Sequence, residues 1–537
     1  MNGAATSETI HSSTKKTSAP WLSYVVFTLY AGLYLMPFMR VIGVGSDEGS
    51  VIYAAVRVFH GQVFTRDFFE VMGPVTPYFL AAFFKLFGVT FLATRVCLFI
   101  TSVGTGLLMY FLTRRVCWRY QWLPCIILAS TYFGGFWPGI SHHVDSNFLA
   151  LLSVACVVLW QERHCKVLLI LSGVLAGLTT CFFLPKGVLL LVAIVLWVWI
   201  QRQRGAASIS EIGLVVGGYH SAVALVLAYF WSQGALGSLV FANIIWPSRH
   251  YEAVNAVPYG QGIISWNWVR FIPLKDAFNW PISAVGVVTA VILITPLLFV
   301  AALPALVPIS ALIRILSDRD KWRIVTPEIV LYVLCGSALW LSEIHRKDIN
   351  HLVFGSPLLI ILCIYFLDSS RMKSSAYTLQ LIAICAFWLA TFNLLGVVTA
   401  HPVMTRVGSV AMFKDDPVLA IIHSHTVAGE EMYVYPYSPL YYFLSSTTNP
   451  TRYSLLLYNY NTDAEFYDAI RSLELRRPRY VIWDAGLLDW AKDFFPTANL
   501  RGPSGLIMEP YLESHYKLVI AEKGVRIMER KEADPGK

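Results

Sequence analysis

"GVGSDEGSVIYAAVRVFHGQ", residues 43–62, follows the first long apolar run of the chain and sets Asp47 beside Glu48. Adjacent carboxylates repel, and an apolar run has no need of them. One reading is ordinary loop charge, with Ser46 or Asp47 capping a helix that starts near Gly49. The other is a membrane protein's reaction site, because ionisable groups at membrane depth are costly and mark sites or pathways. Adjacent helical residues point about 100° apart, so only one of the two acids can reach a given partner.

The surrounding composition sets the scene. The 537 residues are 56% hydrophobic and 14% charged, with a mean hydropathy of +0.58. A soluble domain carries about 25% charged residues. Apolar runs long enough to cross a bilayer recur along most of the chain, which describes a polytopic α-helical membrane protein. The net charge of +8 is scattered through short loops rather than gathered in one groove. That pattern reads as membrane orientation, so the bilayer is a partner and nucleic acid is not.

Residues 1–20 are polar and Ser/Thr-rich with Lys15 and Lys16, and predict a disordered cytoplasmic tail. Residues 21–39 carry no charge and no small-residue cleavage site follows, which predicts a retained anchor. Further spans are expected at 91–113, 121–138, 143–160, 167–184, 187–201, 211–231, 281–303, 325–342, 351–367 and 377–398. Segment 75–88, about 14 residues, is short for a span and suits a re-entrant or interfacial helix. If it does not cross, the short loops holding Arg114, Arg115 and Arg119, Arg163 and Lys166, Arg202 and Arg204, Arg314, Arg319, Lys321 and Arg323, and Arg371 and Lys373 all face the cytoplasm. The expectation is about eleven spans, with the N-terminus inside and the C-terminus outside. A transmembrane module then covers 21–400, and its first outer loop is 41–90. Residues 401–537 predict a small extracytoplasmic α/β domain. In it "YVIWD" and "KLVIAEKGVRIMER" read as strands, and "DAEFYDAIRSLELRR" reads as a helix.

None of the nine cysteines falls in that outer domain, and no disulfide framework or zinc spacing is present. No P-loop, nucleotide-binding glycine pattern or internal repeat occurs. The outer side collects acids (Asp47, Glu48, Asp67, Glu70, Asp145), bases (Lys186, Arg249, Arg346, Lys347) and histidines (His142, His143, His250, His345, His351). A carboxylate with a cationic cluster is what group transfer from a phosphate leaving group needs. The carboxylate takes a proton from an acceptor hydroxyl, and the cations stabilise the departing phosphate. Cations on a short outer loop run against the orientation rule, which singles out His345, Arg346 and Lys347. Each candidate has a plainer reading: loop charge for Glu70, a helix cap for Asp145, snorkelling for Lys186. His142 and His143 invite a metal, but adjacent histidines are poor partners for one ion, and capping or hydrogen bonding fits them better. Loop acids are compatible with a divalent metal, and no spacing compels one.

Several of these segments carry a resemblance. The Asp47-Glu48 pair, "GQ" at 61–62, "RDF" at 66–68, the "GP…Y" turn at 73–78, "LFG" at 86–88 and "ATR" at 93–95 resemble the first outer loop of GT-C-fold glycosyltransferases. The nearest kin are the protein O-mannosyltransferase and lipid A aminoarabinose transferase superfamily, including bacterial lipopolysaccharide-sugar transferases. "SHHVDSNFLALL", "GLTTCFFLPKG" and "PRYVIWD" look like the same family. One departure is that Ser50 and Val51 stand where some relatives have Arg-Tyr. The resemblance implies a GT-C fold in a cell membrane, the bacterial inner membrane for this type. It also implies an inverting transfer from a polyprenyl-phosphate sugar to a lipid, glycan or protein acceptor outside the cytoplasm. It makes Asp47 the base, with Glu48 beside it as a catalytic candidate. Glu70 and Asp145 match acids that position substrates, and Lys186 matches a lysine that joins Arg346 and Lys347 on the phosphate. The rival class is a transporter or flippase for a lipid-linked or anionic substrate. That class should show paired broken helices in inverted repeats, which the sequence does not offer.

Overall fold

The computed structural model describes residues 20–43, 47–132, 139–263, 284–317, 326–370, 372–487, 495, 506–522 and 524–532. The expected tail lies outside these residues except for Pro20, and so do Arg319, Lys321, Arg323 and Arg371 of the inner loops.

The apolar runs are helices: α1 (Pro20–Leu35), α2 (Glu48–Phe59), α3 (Val75–Phe87), α4 (Phe91–Val116), α5 (Leu123–Tyr132), α6 (His142–Arg163), α7 (Lys166–Phe182), α8 (Leu184–Gln203) and α9 (Ile209–Ser232). Beyond them lie helices Ala284–Ser317, Pro327–Glu343, Ile349–Gly355, Pro357–Ser369 and Lys373–Val398. Six of these helices have the length and apolarity to cross a membrane, and the pair Ile349–Gly355 and Pro357–Ser369, bent by 70°, makes a seventh. The chain is an integral membrane protein. The remaining expected spans are helical too, but short: α5, for example, is 10 residues where a straight span needs about 20. Local chemistry sets the helix ends. Ser141 caps α6 through its side chain, and Ser208 with Glu211 forms a capping box on α9. Pro296, Pro304 and Pro308 sit inside the Ala284–Ser317 helix, which packing between membrane helices tolerates.

The C-terminal part holds a four-stranded sheet in the order β3 (Met432–Tyr435), β4 (Tyr480–Asp484), β6 (Val525–Arg530), β5 (Tyr516–Glu522), after a hairpin of β1 (His401–Thr405) and β2 (Gly408–Met412). β3 and β4 are parallel, while β6 is antiparallel to both its neighbours. The predicted strands are β4, β5 and β6, and the predicted helix is Asp463–Arg476, with Phe466 and Leu473 buried.

This part does not stand apart from the first outer loop. Val51 and Ile52 of α2 and Leu80 of α3 share one apolar core with Met432, Leu440, Tyr442 and Ile482. Tyr53 stacks on Tyr442 at 4.6 Å between ring centres, and its hydroxyl accepts from the N–H of Asn449 at 2.7 Å. Arg57 donates to the Thr451 carbonyl, and the Ile42 N–H to the Ala411 carbonyl. Gly49 permits the closest approach: a Cβ there would lie 2.8 Å from Leu440 Cβ and 2.9 Å from its nitrogen. The acid pair therefore sits at the seam between the membrane helices and the sheet.

Candidate active site

Asp47 and Glu48 face opposite fates, as the 100° between neighbouring helical residues requires. Glu48 is buried, and the Arg95 guanidinium of α4 grips both its oxygens, with Nη2 at 3.0 Å from Oε2. The backbone N–H of Ile140 donates to Oε1 at 3.0 Å. Both oxygens of Glu48, one of the two catalytic candidates, are thus occupied away from solvent. Asp47 is exposed. It holds the cap position of α2 but makes no side-chain capping bond. Its Oδ1 instead accepts from the Tyr437 hydroxyl at 3.1 Å, and that hydroxyl also meets Ser50 Oγ at 3.2 Å. Burial and the carboxylate beside it push the Tyr437 phenol well up, so it remains a donor. Most of the aromatic stretch 433–453 is core. Tyr437 is the member that turns to the seam.

Glu70 is buried, and its Oε1 has no hydrogen-bond partner among the described residues. Burial raises its carboxyl to about 7, with Ser454 and Arg57 pulling down and Asp47 pushing up. Asp145 lies in the first turn of α6, buried, with Oδ2 also unpartnered among the described residues. Ser141, not Asp145, caps that helix.

A second group lies where the starts of α6 and α8 meet the end of the Pro327–Glu343 helix. Lys186 is fully buried. Its ammonium donates to Asn147 Oδ1 at 2.7 Å and pairs with Glu343 Oε1 at 2.7 Å. An anion reaches Lys186, the lysine expected on the phosphate, only by replacing Glu343. His143 stacks on Phe354 at 4.9 Å and places Nδ1 3.1 Å from Glu343 Oε1. Arg346 donates to Asp348 at 2.5 Å and to Asn255 at 2.6 Å. Burial opposes charge on Asp348, but His351 and Arg346 outweigh it and hold the carboxyl well below its usual range. His345 and Lys347 are exposed on the same turn.

Tyrosines link the two groups. Tyr251, from a π-helical stretch at Pro247–Tyr251, feels Arg346, Asp348, Glu343 and Asp47. Tyr460 feels Glu70, Asp47 and Arg346. Asp47, Glu70 and Arg346 thus act on the same tyrosine, while Glu48 and Lys186 are buried and paired beside them. Tyr437, Glu343 and Asp348 were not picked out from sequence, and Arg95 entered only as the last residue of the "ATR" motif, with no role given to it. A lone acid ending an apolar run is a signal that marks Glu343.

Helices that hold an exposed acid just after the first span, under a mixed C-terminal domain, form the GT-C fold of membrane glycosyltransferases. The fold is that of ArnT from Cupriavidus metallidurans, a lipid A aminoarabinose transferase, solved bound to undecaprenyl phosphate. That match has a TM-score of 0.52 and 12% identity over 95% of this chain and 98% of that one. The archaeal oligosaccharyltransferase AglB from Archaeoglobus fulgidus, solved with an inhibitory peptide and a dolichol-phosphate, matches with a TM-score of 0.53. Its identity is 14%, over 95% of this chain and 74% of that one. No family model matches the chain, and no curated protein matches it by sequence.

Proposed function

We propose that the protein is an inverting glycosyltransferase that moves one sugar from a polyprenyl-phosphate donor to a hydroxyl of a lipid, glycan or protein outside the cytoplasm. The observation that carries this reading is the state of Asp47. It is an exposed carboxylate that does not cap its helix, is held by the Tyr437 hydroxyl, and acts with Glu70 and Arg346 on Tyr460. The lipid phosphates bound to ArnT and AglB support a donor of that class.

In this reading the acceptor O–H gives its proton to Asp47. The acceptor oxygen bonds the anomeric carbon from the face opposite the phosphate. The carbon–oxygen bond to phosphate breaks, and the electron pair leaves with the polyprenyl phosphate. One displacement inverts the sugar. Glu48 positions Asp47 by tying the start of α2 to Arg95. Glu70 and Asp145 position substrates. Arg346 and Lys347 meet the phosphate, and Lys186 joins them when the phosphate displaces Glu343. The N-terminus and basic loops face the cytoplasm of a bacterial cell, and the sheet faces outward.

Purified protein in lipid, given polyprenyl-phosphate sugars, tests the reading. Release of polyprenyl phosphate that depends on an acceptor and disappears in Asp47→Asn is expected. Unaltered donor with every sugar and acceptor extract, beside lipid movement across the bilayer, would overturn it in favour of transport. Arg346→Ala should raise the donor KM more than the acceptor KM, and the reverse would remove Arg346 from the phosphate.

A further inference from the structure

The second group of side chains goes beyond what a transferase of this kind needs. His143 at the start of α6, Glu343 at the end of its helix and His351 at the start of the next bring one ligand atom each within 4.8 Å of one another. We propose that these three residues form a site for one divalent transition-metal ion, zinc by preference. Two imidazoles and a carboxylate suit zinc, copper and nickel, and poorly suit magnesium or calcium.

Three observations support this. First, the buried Glu343 carboxylate is divided: Lys186 takes Oε1 at 2.7 Å, and Oε2 faces His143 Nδ1 at 3.0 Å without a formed hydrogen bond. An ion held between that oxygen and the ring nitrogen would satisfy both. Second, His351 Nδ1 is engaged by Asp348 Oδ1 at 2.9 Å, leaving Nε2 to face a ligand. A carboxylate behind a ligating imidazole is the usual outer support of a metal histidine. Arg346 in turn holds Asp348 through its other oxygen at 2.5 Å. Third, His345 lies beside the set, its ring centre 5.2 Å from that of His351, with Nδ1 on the Ser342 carbonyl at 3.0 Å. It is exposed. Three protein ligands leave the fourth tetrahedral position unfilled by the protein, which describes a reactive rather than a structural zinc site. A phosphate oxygen fits the open position.

The sequence hid this set. His142 and His143 are adjacent, but only His143 belongs to it. Its partners lie about two hundred residues on, at helix ends with no ligand spacing between them.

The test uses the full-length, tag-free protein in detergent, loaded with zinc sulfate, desalted, and measured by mass spectrometry for metal. About one zinc per chain is expected for the wild type, and about one for His142→Ala. His351→Ala should fall to near none, and Asp348→Asn should bind roughly 10- to 100-fold more weakly. Cobalt(II) in place of zinc should give a visible absorption band that His351→Ala lacks. Glu343→Gln should also lose the metal. Because it leaves Lys186 without its counter-charge, His351→Ala is the variant that decides if Glu343→Gln does not fold. No zinc on the wild type, or full zinc on a well-folded His351→Ala, would overturn the proposal. Metal content is read without turnover, so its failure leaves the transferase reading untouched.

Discussion

The phenol of Tyr437 donates to Oδ1 of Asp47 at 3.1 Å, joining residues 390 positions apart. The C-terminal part therefore supplies a piece of the candidate active site. Tyr437→Phe removes only the hydroxyl. A hydrogen bond to a charged group is worth about 1.5–3 kcal/mol when buried. At this half-exposed position the expected loss is roughly tenfold in kcat. Unchanged turnover would make the contact a packing feature alone.

Asp47→Asn and Glu48→Gln should fail in opposite ways. Asn caps a helix about as well as Asp, so Asp47→Asn should fold normally and lose roughly 10²–10⁴-fold in rate as a base is lost. Glu48→Gln leaves the buried Arg95 unpaired, which costs roughly 3–5 kcal/mol of stability. Thermal unfolding measured beside sugar transfer separates the two. An active Asp47→Asn with a stable, inactive Glu48→Gln would move the base one residue along.

Glu70 predicts a pH dependence of stability. Its folded carboxyl, at about 7, lies above its ordinary value of 4.5 because burial disfavours the charge. Between those values the folded state holds the proton more tightly than the unfolded one, so stability falls as pH rises from 4.5 through 7. The loss amounts to about 3 kcal/mol at 1.36 kcal/mol per unit. Glu70→Gln should flatten this decline and be the more stable protein at pH 8. Unfolding in lipid nanodiscs from pH 5 to 8 checks it, and parallel curves for the two proteins would refute it.

Gly49→Ala tests the seam. The added Cβ meets Leu440 below 3 Å, so the sheet region must shift away from α2. Overpacking of this kind costs about 1–3 kcal/mol. Turnover should fall with it, and protease should cut the chain faster between 401 and 440. Wild-type rates of both would mean that the seam gives way without consequence.

Orientation is open to thiol labelling. In a Cys165→Ser background, which removes the exposed native thiol, a cysteine at Glu513 should react with an impermeant reagent from outside and one at Arg119 should not. The reverse pattern would invert the topology.

The apolar runs and the acid pair were legible because each is a local pattern: a run of span length, and two charges beside it. Strands β4 to β6 and helix Asp463–Arg476 were legible for the same reason, through alternation and helical spacing. The division of labour within the pair was legible only in part. The geometry of a helix says that one acid turns away, but Arg95 decides which. The partner of Lys186 was not legible, because a lysine at a span end looks the same whether it snorkels, awaits an anion or already holds a carboxylate 157 residues on. Tyr437 was not legible either, since nothing local marks the one ring of an aromatic stretch that turns to the seam.

The distance along the chain between Asp47 and Tyr437 also sets an order in time. At about 5–20 residues per second, the ribosome finishes Tyr437 roughly 20–80 s after Asp47. Every membrane helix after α1 is made within that interval, while the acid waits without its phenol. A message cut short before codon 437 yields a chain that fills the bilayer with all its helices and never acquires a finished centre.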